Sequence, residues 1–247
     1  MENKELIFGR NPVLEYLRAS GPAPHAELYV ANTAHGKIIE EIVTAAKEKK
    51  VTVSPMDREF FARLGSSSRH QGVALKLQVP DPTADGAGME GLFARSAGRK
   101  GVLVLLDQIT DPHNTGSIIR TAEALGCDGV IIPKARSSGI TSAVIKASAG
   151  ATAHIEIQQI SNVASFLDEA KKHGFWIIGT ADAGNRDLPK LGMVRPAVVI
   201  IGSEDSGMRR LTAEKCDYIV RIPLAGKISS LNASVAAGIV LYQIMHS

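Results

Sequence analysis

The chain is organised around residues 221–235 near its C-terminal end, which read R-I-P-L-A-G-K-I-S-S-L-N-A-S-V. A strand is predicted to stop at Pro223, because proline has no N–H to donate to a sheet. The apolar and helix-forming residues 231–245 predict a terminal helix, with Ser229, Ser230 or Asn232 placed to cap it. A loop of exposed amides that leads into a helix start suits a polar ligand group. An ordinary capped helix entry has the same pattern, so this stretch alone does not decide a function.

The composition is that of an ordinary globular protein. The chain has 247 residues, of which 45% are hydrophobic and 21% charged, and its net charge is +3. This charge is compatible with an RNA partner but does not indicate one. We expect a cytoplasmic protein with no membrane partner, because no apolar run could span a bilayer and no signal core precedes the first domain. Cys127 and Cys216 lack the spacing of a metal site and are interpreted as buried free thiols, so no metal is expected.

Strand and helix patterns alternate from residue 101 onwards. This alternation predicts an α/β fold with a mostly parallel sheet and helices on both faces. Residues 1–78 have the pattern of a smaller α/β unit, and residues 79–100 are interpreted as a linker with a short helix over Met89–Arg95. The sequence therefore predicts two domains, 1–78 and 101–247, joined by the linker 79–100.

Three loops with polar content follow predicted strands of the second domain. They are residues 107–117, residues 202–208 and the stretch 221–235. Ligands of open α/β sheets bind beyond the carboxyl ends of the strands, so we expect these loops to share a site. The chain has no G-x-G-x-x-G after its first parallel strand and no G-K-[ST] loop. A standard dinucleotide site and a phosphate-cradling NTPase site are therefore not supported.

Three side chains in or just after the first two loops have two interpretations each. Asn114 either caps a helix beginning at Thr115 or faces a ligand. Arg120 lies on an otherwise apolar helix face, where it is either an interface arginine or a phosphate-binding guanidinium. Glu204 lies between two glycines and is either a surface carboxylate or a group that orients a partner. None of these side chains indicates a site alone, and the three together favour one.

Three ordered motifs resemble those of the SpoU branch of the SPOUT RNA methyltransferases. They are D-x-x-x-D-P-H-N-x-G-x-x-x-R, I-G-S-E-D-S-G-M and I-P-L-A-G-K-I-S-S-L-N-A-S-V-A-A-G-I, within residues 102–245. The N-terminal I-F-G-R-N-P-V-L-E-Y-L is similar to the opening of the substrate-binding domain of 23S rRNA guanosine-2′-O-methyltransferases. The resemblance implies S-adenosyl-L-methionine-dependent methylation of a guanosine ribose in 23S rRNA, a homodimer with its active site near the subunit interface, and a deep trefoil knot that holds the cofactor.

The resemblance also implies roles for individual residues. The catalytic set that it implies is Asn114, Arg120, Glu204, Ser229 and Asn232. The cofactor-binding set that it implies is Gly202, Ile222 and Leu231, with Thr180 and Leu224 lining the same pocket. A ribose hydroxyl is a very weak acid, so its oxyanion must be stabilised. Arg120 suits charge stabilisation better than general base catalysis, because a guanidinium scarcely deprotonates.

Arginine and asparagine residues at element ends of the first domain are candidates for RNA contacts. They are Arg10, Asn11, Arg63 and Arg69, and each is equally well explained as a solvated surface residue.

Three alternatives remain. The first is a tRNA guanosine-2′-O-methyltransferase, although such relatives usually lack this N-terminal domain. The second is an enzyme for another rRNA nucleotide, as in antibiotic-resistance relatives. The third is a non-catalytic RNA-binding ribosome assembly factor, against which the intact Asn114, Arg120, Glu204 and Asn232 argue.

Overall fold

Strands and helices alternate along most of the chain in the computed structural model, which describes residues 4–19, 26–63, 70–78, 88–204, 206–227 and 230–246. The strands are β1 (Lys4–Phe8), β2 (Glu27–Ala31), β3 (Thr52–Met56), β4 (Val73–Gln78), β5 (Val102–Asp107), β6 (Gly129–Pro133), β7 (Glu156–Ile160), β8 (Trp176–Thr180), β9 (Arg186–Asp187), β10 (Ala197–Gly202) and β11 (Tyr218–Arg221). The helices are α1 (Arg10–Ala19), α2 (Lys37–Glu48), α3 (Arg58–Arg63), α4 (Gly88–Gly98), α5 (Pro112–Ala124), α6 (Ser142–Ala147), α7 (Val163–Lys172), α8 (Arg210–Glu214) and α9 (Ala233–Met245), with short 3-10 turns at Ala151–Ala153 and Leu188–Lys190.

The larger sheet has the strand order β7-β6-β5-β10-β8-β11-β9, and all its paired strands are parallel. Every residue of β5 is buried, as expected for a strand covered on both faces. Val104 packs with α5, α6 and α9 on one face, whereas Leu105 packs with α4 and α7 on the other. This arrangement confirms the predicted α/β class with helices on both faces of a parallel sheet.

The smaller sheet lies in the first part of the chain and has the order β1-β4-β2-β3. Strand β4 is antiparallel to both β1 and β2, whereas β2 and β3 are parallel. Val13, Leu17 and Ile42 of α1 and α2 are buried in one core, and Phe61 of α3 is buried in a separate cluster with Tyr29. The small α/β/α unit predicted at the N-terminus is therefore present.

Several element bounds differ from those predicted. Helix α5 begins at Pro112 instead of Thr115, because Asp111 caps it by accepting from the backbone N–H groups of His113 and Asn114. The helix predicted over Met89–Arg95 extends to Gly88–Gly98. Strands β1 and β9 were not predicted, because both are edge strands whose ordering depends on a partner distant in sequence.

The described part of the predicted linker packs against the larger sheet. Leu92 and Phe93 of α4 are buried against the larger sheet, so this helix packs as part of that sheet's second core. Residues 79–87 lie outside the described part of the chain. The division into 1–78, 79–100 and 101–247 stays a prediction.

Candidate active site

Three loops meet at the carboxyl edge of the larger sheet. Strands β5 and β10 are neighbours in register, with Asp107 opposite Gly202 at their ends, and β11 lies beyond β8 on the same side. Because all these strands are parallel, the segments that follow them leave the sheet at one edge. The convergence expected for the three polar loops is therefore observed.

Three predicted site residues join in one hydrogen-bonded cluster at this edge. Asn114 Nδ2 donates to Glu204 Oε1 over 2.9 Å, and Asn232 Nδ2 donates to Asn114 Oδ1 over 2.9 Å. Asn232 Nδ2 also lies 2.5 Å from Glu204 Oε1, and the backbone N–H of Ala233 donates to the same oxygen over 3.0 Å. One carboxylate oxygen thus receives three donors, while no described residue donates to the other oxygen, Oε2. We call Asn114, Glu204 and Asn232 the carboxyl-edge cluster.

Helix capping explains why these two asparagines are available. Asp111 caps α5, so Asn114 lies within the first turn and its side chain is not used for the cap. Asn232 caps α9 through Oδ1, which accepts from the N–H groups of Ser234 and Val235 at 3.0 and 3.3 Å. Its Nδ2 remains free to donate to the cluster. The interpretation of Asn114 as the cap of its helix was therefore wrong, whereas the predicted cap at Asn232 is observed.

Glycine is required where the loop after β10 folds back on itself. The backbone groups of Ser203 and Gly207 exchange hydrogen bonds of 3.2 and 3.0 Å, which close the loop that carries Glu204. A Cβ built on Gly202 would lie 2.5 Å from the carbonyl carbon of Gly207. Any larger residue at position 202 would therefore displace the loop and with it Glu204.

A buried carboxylate fixes this loop to the end of β5. Asp107 is fully buried, and its Oδ2 accepts from the backbone N–H of Arg209 over 2.9 Å. Arg209 Nε lies 3.2 Å from Asp107 Oδ1, an ion-pair contact at an angle outside hydrogen bonding. Gln108, which has a φ of 67°, donates from Nε2 to Ser206 Oγ and to the Gly207 carbonyl, both over 3.3 Å. Sequence reasoning did not single out these residues, although a carboxylate at the end of an entirely apolar strand was a signal.

The predicted cofactor-binding residues lie at the same edge of the sheet. Thr180 ends β8 and donates from Oγ1 to the Ile200 carbonyl over 2.9 Å, Gly202 ends β10, and Ile222 directly follows β11. Leu224 and Leu231 lie on the loop that follows, with Leu224 exposed and Leu231 half-buried. Their placement is compatible with one shared pocket, and their roles stay predictions.

Two predicted catalytic residues are not part of the carboxyl-edge cluster. Arg120 lies six residues after Asn114 on α5, and its side chain is exposed. It has no hydrogen-bond or ion-pair partner among the described residues. Ser229 lies outside the described residues.

The predicted RNA-binding residues are dispersed over the first unit. Arg10 begins α1, where its backbone N–H donates to Gln71 Oε1 over 3.3 Å and its Nε donates to the Gln71 carbonyl over 3.2 Å. Asn11 is exposed beside it. Arg63 ends α3 and lies 3.8 Å from Glu59 in an exposed ion pair. Arg69 lies outside the described residues.

The two cysteines do not belong to the site. Burial raises the pKa of the Cys127 thiol and of the Cys216 thiol to about 12. Both are free thiols, as expected from the sequence, but only Cys127 is fully buried and Cys216 is half-buried. Both remain protonated at neutral pH. Within the described ranges, no helix combines the length and the apolar character that a membrane span requires.

Comparison with known proteins relates the whole chain to one group. The sequence profile of the SpoU rRNA Methylase family matches residues 101–242, and the profile described as RNA 2′-O ribose methyltransferase substrate binding matches residues 6–82. The first profile alone covers more than half of the chain.

Individual relatives agree with these profiles. YacO of Bacillus subtilis (strain 168), named as a TrmH-family tRNA/rRNA methyltransferase, is 35% identical over 98% of this chain and 96% of its own length. A Staphylococcus haemolyticus protein named for the same family is 38% identical over 97% of this chain and 94% of its own. The crystal structure of the SpoU methyltransferase AviRb from Streptomyces viridochromogenes in complex with AdoMet aligns with a TM-score of 0.70 at 25% identity, covering 98% of this chain and 89% of that chain. On its profile matches and its full-length relatives, the chain belongs to the SpoU rRNA methylase family.

Proposed function

We propose that the protein transfers a methyl group from S-adenosyl-L-methionine to the ribose 2′-hydroxyl of a guanosine in 23S rRNA. The observation that carries the proposal is the carboxyl-edge cluster, in which one residue from each of the three motifs meets at a single carboxylate oxygen. The substrate-binding profile over residues 6–82 supports an RNA substrate. The AdoMet complex of AviRb supports the cofactor.

The carboxyl edge fits the proposed cofactor. Between Ile222 and Lys227 the described backbone groups form no backbone–backbone hydrogen bonds, and the residues from Pro223 onwards are exposed. Such a loop can bind the polar groups of an adenosine and a methionine moiety through its own N–H and C=O groups. Leu224 offers apolar surface for an adenine ring. When bound, the cofactor would supply an electrophilic methyl group on its sulfonium.

Glu204 and the asparagines would orient the RNA ribose. Three donors hold Glu204 Oε1, so its orientation is preorganised before any substrate arrives. Its other oxygen is available to accept a hydrogen bond from a ribose hydroxyl. Direct methyl transfer depends above all on in-line placement of the accepting oxygen, which a rigid carboxylate of this kind supports. Arg120 would stabilise the negative charge that develops on that oxygen.

A homodimer accounts for an apolar stripe on the terminal helix. Val235, Ile239 and Tyr242 of α9 are 50%, 40% and 59% exposed and follow one another at helical spacing. The opposite side of α9 is buried in the core, so the helix is apolar on both sides. Helix α5, which carries Arg120, packs beside α9, where a Cβ on Gly238 would lie 3.9 Å from Thr121. We therefore propose that Arg120 lies near the subunit boundary.

The dimer is tested with Ile239→Asp, which places a charge in the middle of the stripe. We expect the wild type to have twice the monomer mass in light scattering after gel filtration, and the variant to have the monomer mass. Leu211→Asp is the control, because Leu211 is an exposed apolar residue on α8, outside the stripe. A wild-type monomer, or an unchanged mass for Ile239→Asp, would contradict the proposed interface.

The proposed reaction is tested by methyl incorporation into purified RNA. Radiolabelled cofactor, full-length protein and either unmodified 23S rRNA or unmodified tRNA are combined, and ribose methylation is then mapped. We expect label at one guanosine of 23S rRNA and none with Glu204→Gln. Label confined to tRNA would favour the alternative substrate, to which the names of the relatives also point. No label in any RNA would favour a non-catalytic assembly factor. The trefoil knot implied by the motifs stays part of the proposal.

A further inference from the structure

The chain contains a single tryptophan, and nearly half of it is exposed. Trp176 begins β8 and is 45% exposed, although the rest of that strand is largely buried. Among the described residues, no acceptor pairs with its indole N–H. An indole left in water forgoes a large part of the free energy that burial would supply. Trp176 is therefore a candidate for contact with something outside the chain.

Two further side chains extend Trp176 into a row. The ring centroids of Trp176 and Tyr218 are 5.7 Å apart, with an interplanar angle of 41°. The guanidinium carbon of Arg186 lies 4.8 Å from the centroid of the Tyr218 ring, in a cation–π contact. The row thus combines an exposed indole, a phenol and a guanidinium from β8, β11 and β9, and we call it the aromatic row.

The charge around the aromatic row is positive. The ionised side chains of its three strands and their ion-pair partners are Arg186, Arg221, Lys190 and Asp187, whereas Asp217, which precedes Tyr218, is balanced by its ion pair with Lys171. Arg221 and Lys190 share Asp187, so three cations against one carboxylate leave a surplus of two positive charges. Arg186 forms no ion pair with any described residue. This surplus of positive charge favours an anionic partner over a neutral or a cationic one.

Aromatic rings beside unpaired guanidinium groups bind nucleic acids in a characteristic way. Unpaired bases stack on exposed aromatic rings, while arginine and lysine contact the phosphates between them. We propose that Trp176, Tyr218 and Arg186 form a stacking platform for an unpaired base of the RNA substrate. This inference rests on the proposed RNA-methylating function.

The position of the row defines what part of the RNA it would contact. Trp176 and Thr180 are at opposite ends of β8, four residues apart, which corresponds to about 13 Å along a strand. The carboxyl-edge cluster lies at the Thr180 end. A base on Trp176 therefore belongs to nucleotides that flank the target, so the row would increase RNA affinity and leave the chemical step unchanged.

The single tryptophan allows a direct test on the full-length protein. Trp176 is excited selectively, and its fluorescence emission is followed while a short unstructured oligoribonucleotide is added. Binding of the same oligoribonucleotide is measured in parallel by filter retention. We expect saturable quenching with the same midpoint as binding, because a stacked base quenches the ring it contacts. Binding without any change in emission would overturn the platform. A change in emission that depends on protein concentration and not on RNA would also overturn the platform. It would indicate that Trp176 contacts a second copy of the chain.

Variants separate stacking from folding. Trp176→Ala should weaken binding of the oligoribonucleotide about ten-fold, the scale of one lost base–aromatic stack. Trp176→Phe keeps an aromatic ring and should bind within about three-fold of the wild type. Met193→Ala is the matched control, because Met193 is an exposed apolar residue outside the row and its loss should leave binding unchanged. Wild-type affinity in Trp176→Ala would contradict the proposal.

Failure of the platform and failure of the proposed function give different results. Wild-type protein that methylates 23S rRNA but shows no quenching would remove only the platform. Protein that shows quenching but methylates no RNA would remove the proposed reaction and leave the RNA contact in place. At saturating rRNA, Trp176→Ala should methylate at the wild-type rate, since Trp176 lies at the opposite end of β8 from the carboxyl-edge cluster.

Discussion

The carboxyl edge of the larger sheet and the first unit both present polar side chains, but they hold them differently. At the carboxyl edge, Asn114 bonds to Glu204 and to Asn232, which are 90 and 118 positions away along the chain. In the first unit, Arg10 bonds to Gln71, which is 61 positions away, and Arg63 has only a loose contact with Glu59. Interlocked groups suit a reaction that tolerates little displacement, whereas separate exposed cations suit a surface that adapts to RNA.

The largest expected effect is that of Arg120→Ala. Loss of a charge-stabilising group should lower turnover by about 10²- to 10³-fold. Cofactor affinity should stay within about two-fold of the wild type, because Arg120 is exposed and outside the cluster. Single-turnover methylation and calorimetric cofactor titration measure the two quantities. Arg210→Ala is the matched control and should retain full turnover, because Arg210 is an exposed arginine on α8 with no predicted role. Full turnover in Arg120→Ala would remove this residue from the mechanism.

The next effect concerns the support beneath the carboxyl edge. Asp107→Ala leaves the Arg209 guanidinium and backbone N–H without their buried partner, so the free energy of unfolding should fall by about 3 kcal/mol. Asp182→Ala is the control, because it removes an exposed carboxylate that has no ion pair among the described residues. It should change the free energy of unfolding by less than about 0.5 kcal/mol. Urea unfolding measures both. Equal midpoints for the two variants would mean that Asp107 does not support the loop.

Changes in the first unit should act on RNA binding alone. Removal of residues 1–78 should weaken 23S rRNA binding by about ten-fold or more and leave cofactor binding unchanged. The double variant Arg10→Ala/Arg63→Ala keeps the whole chain and should produce a smaller loss of the same kind, with a reduced salt dependence. Filter retention at several salt concentrations measures the effect. Unchanged rRNA affinity after the deletion would show that the first unit is not responsible for RNA binding.

The smallest effect is expected from the thiols, which belong to neither region. Because burial raises the pKa of Cys127 and Cys216 from 9.0 to about 12, both thiols should react with iodoacetamide at about pH 8 far more slowly in the folded protein than in urea. Unfolded thiols ionise at lower pH than these buried ones. The free energy of unfolding should therefore decline as pH rises from 9 towards 12, with no contribution below that window. Equal labelling rates in the two states would contradict the burial.

The sequence alone predicted much of the fold because its signals are local. The continuous apolar runs of β5 and β10 are visible without any partner strand. The edge strands β1 and β9 were missed, since their pairing with β4 and β11 supplies most of their order. The start of α5 was placed three residues late, because Asp111 and Asn114 are both acceptable caps and only the fold selects between them.

By itself, the sequence determined the α/β class and the three polar loops, and the resemblance of its motifs to those of a known family pointed to Asn114, Glu204 and Asn232. Periodicity, caps and motif order depend on residues close together in the chain, so they can be read without coordinates. Only the tertiary structure decided that these three side chains share one carboxylate oxygen and that Asp107 anchors the loop from beneath. It also decided that Trp176, Tyr218 and Arg186 form one row. These contacts join residues on different strands, and the pairing of the parallel sheet, which no local pattern encodes, brings them together.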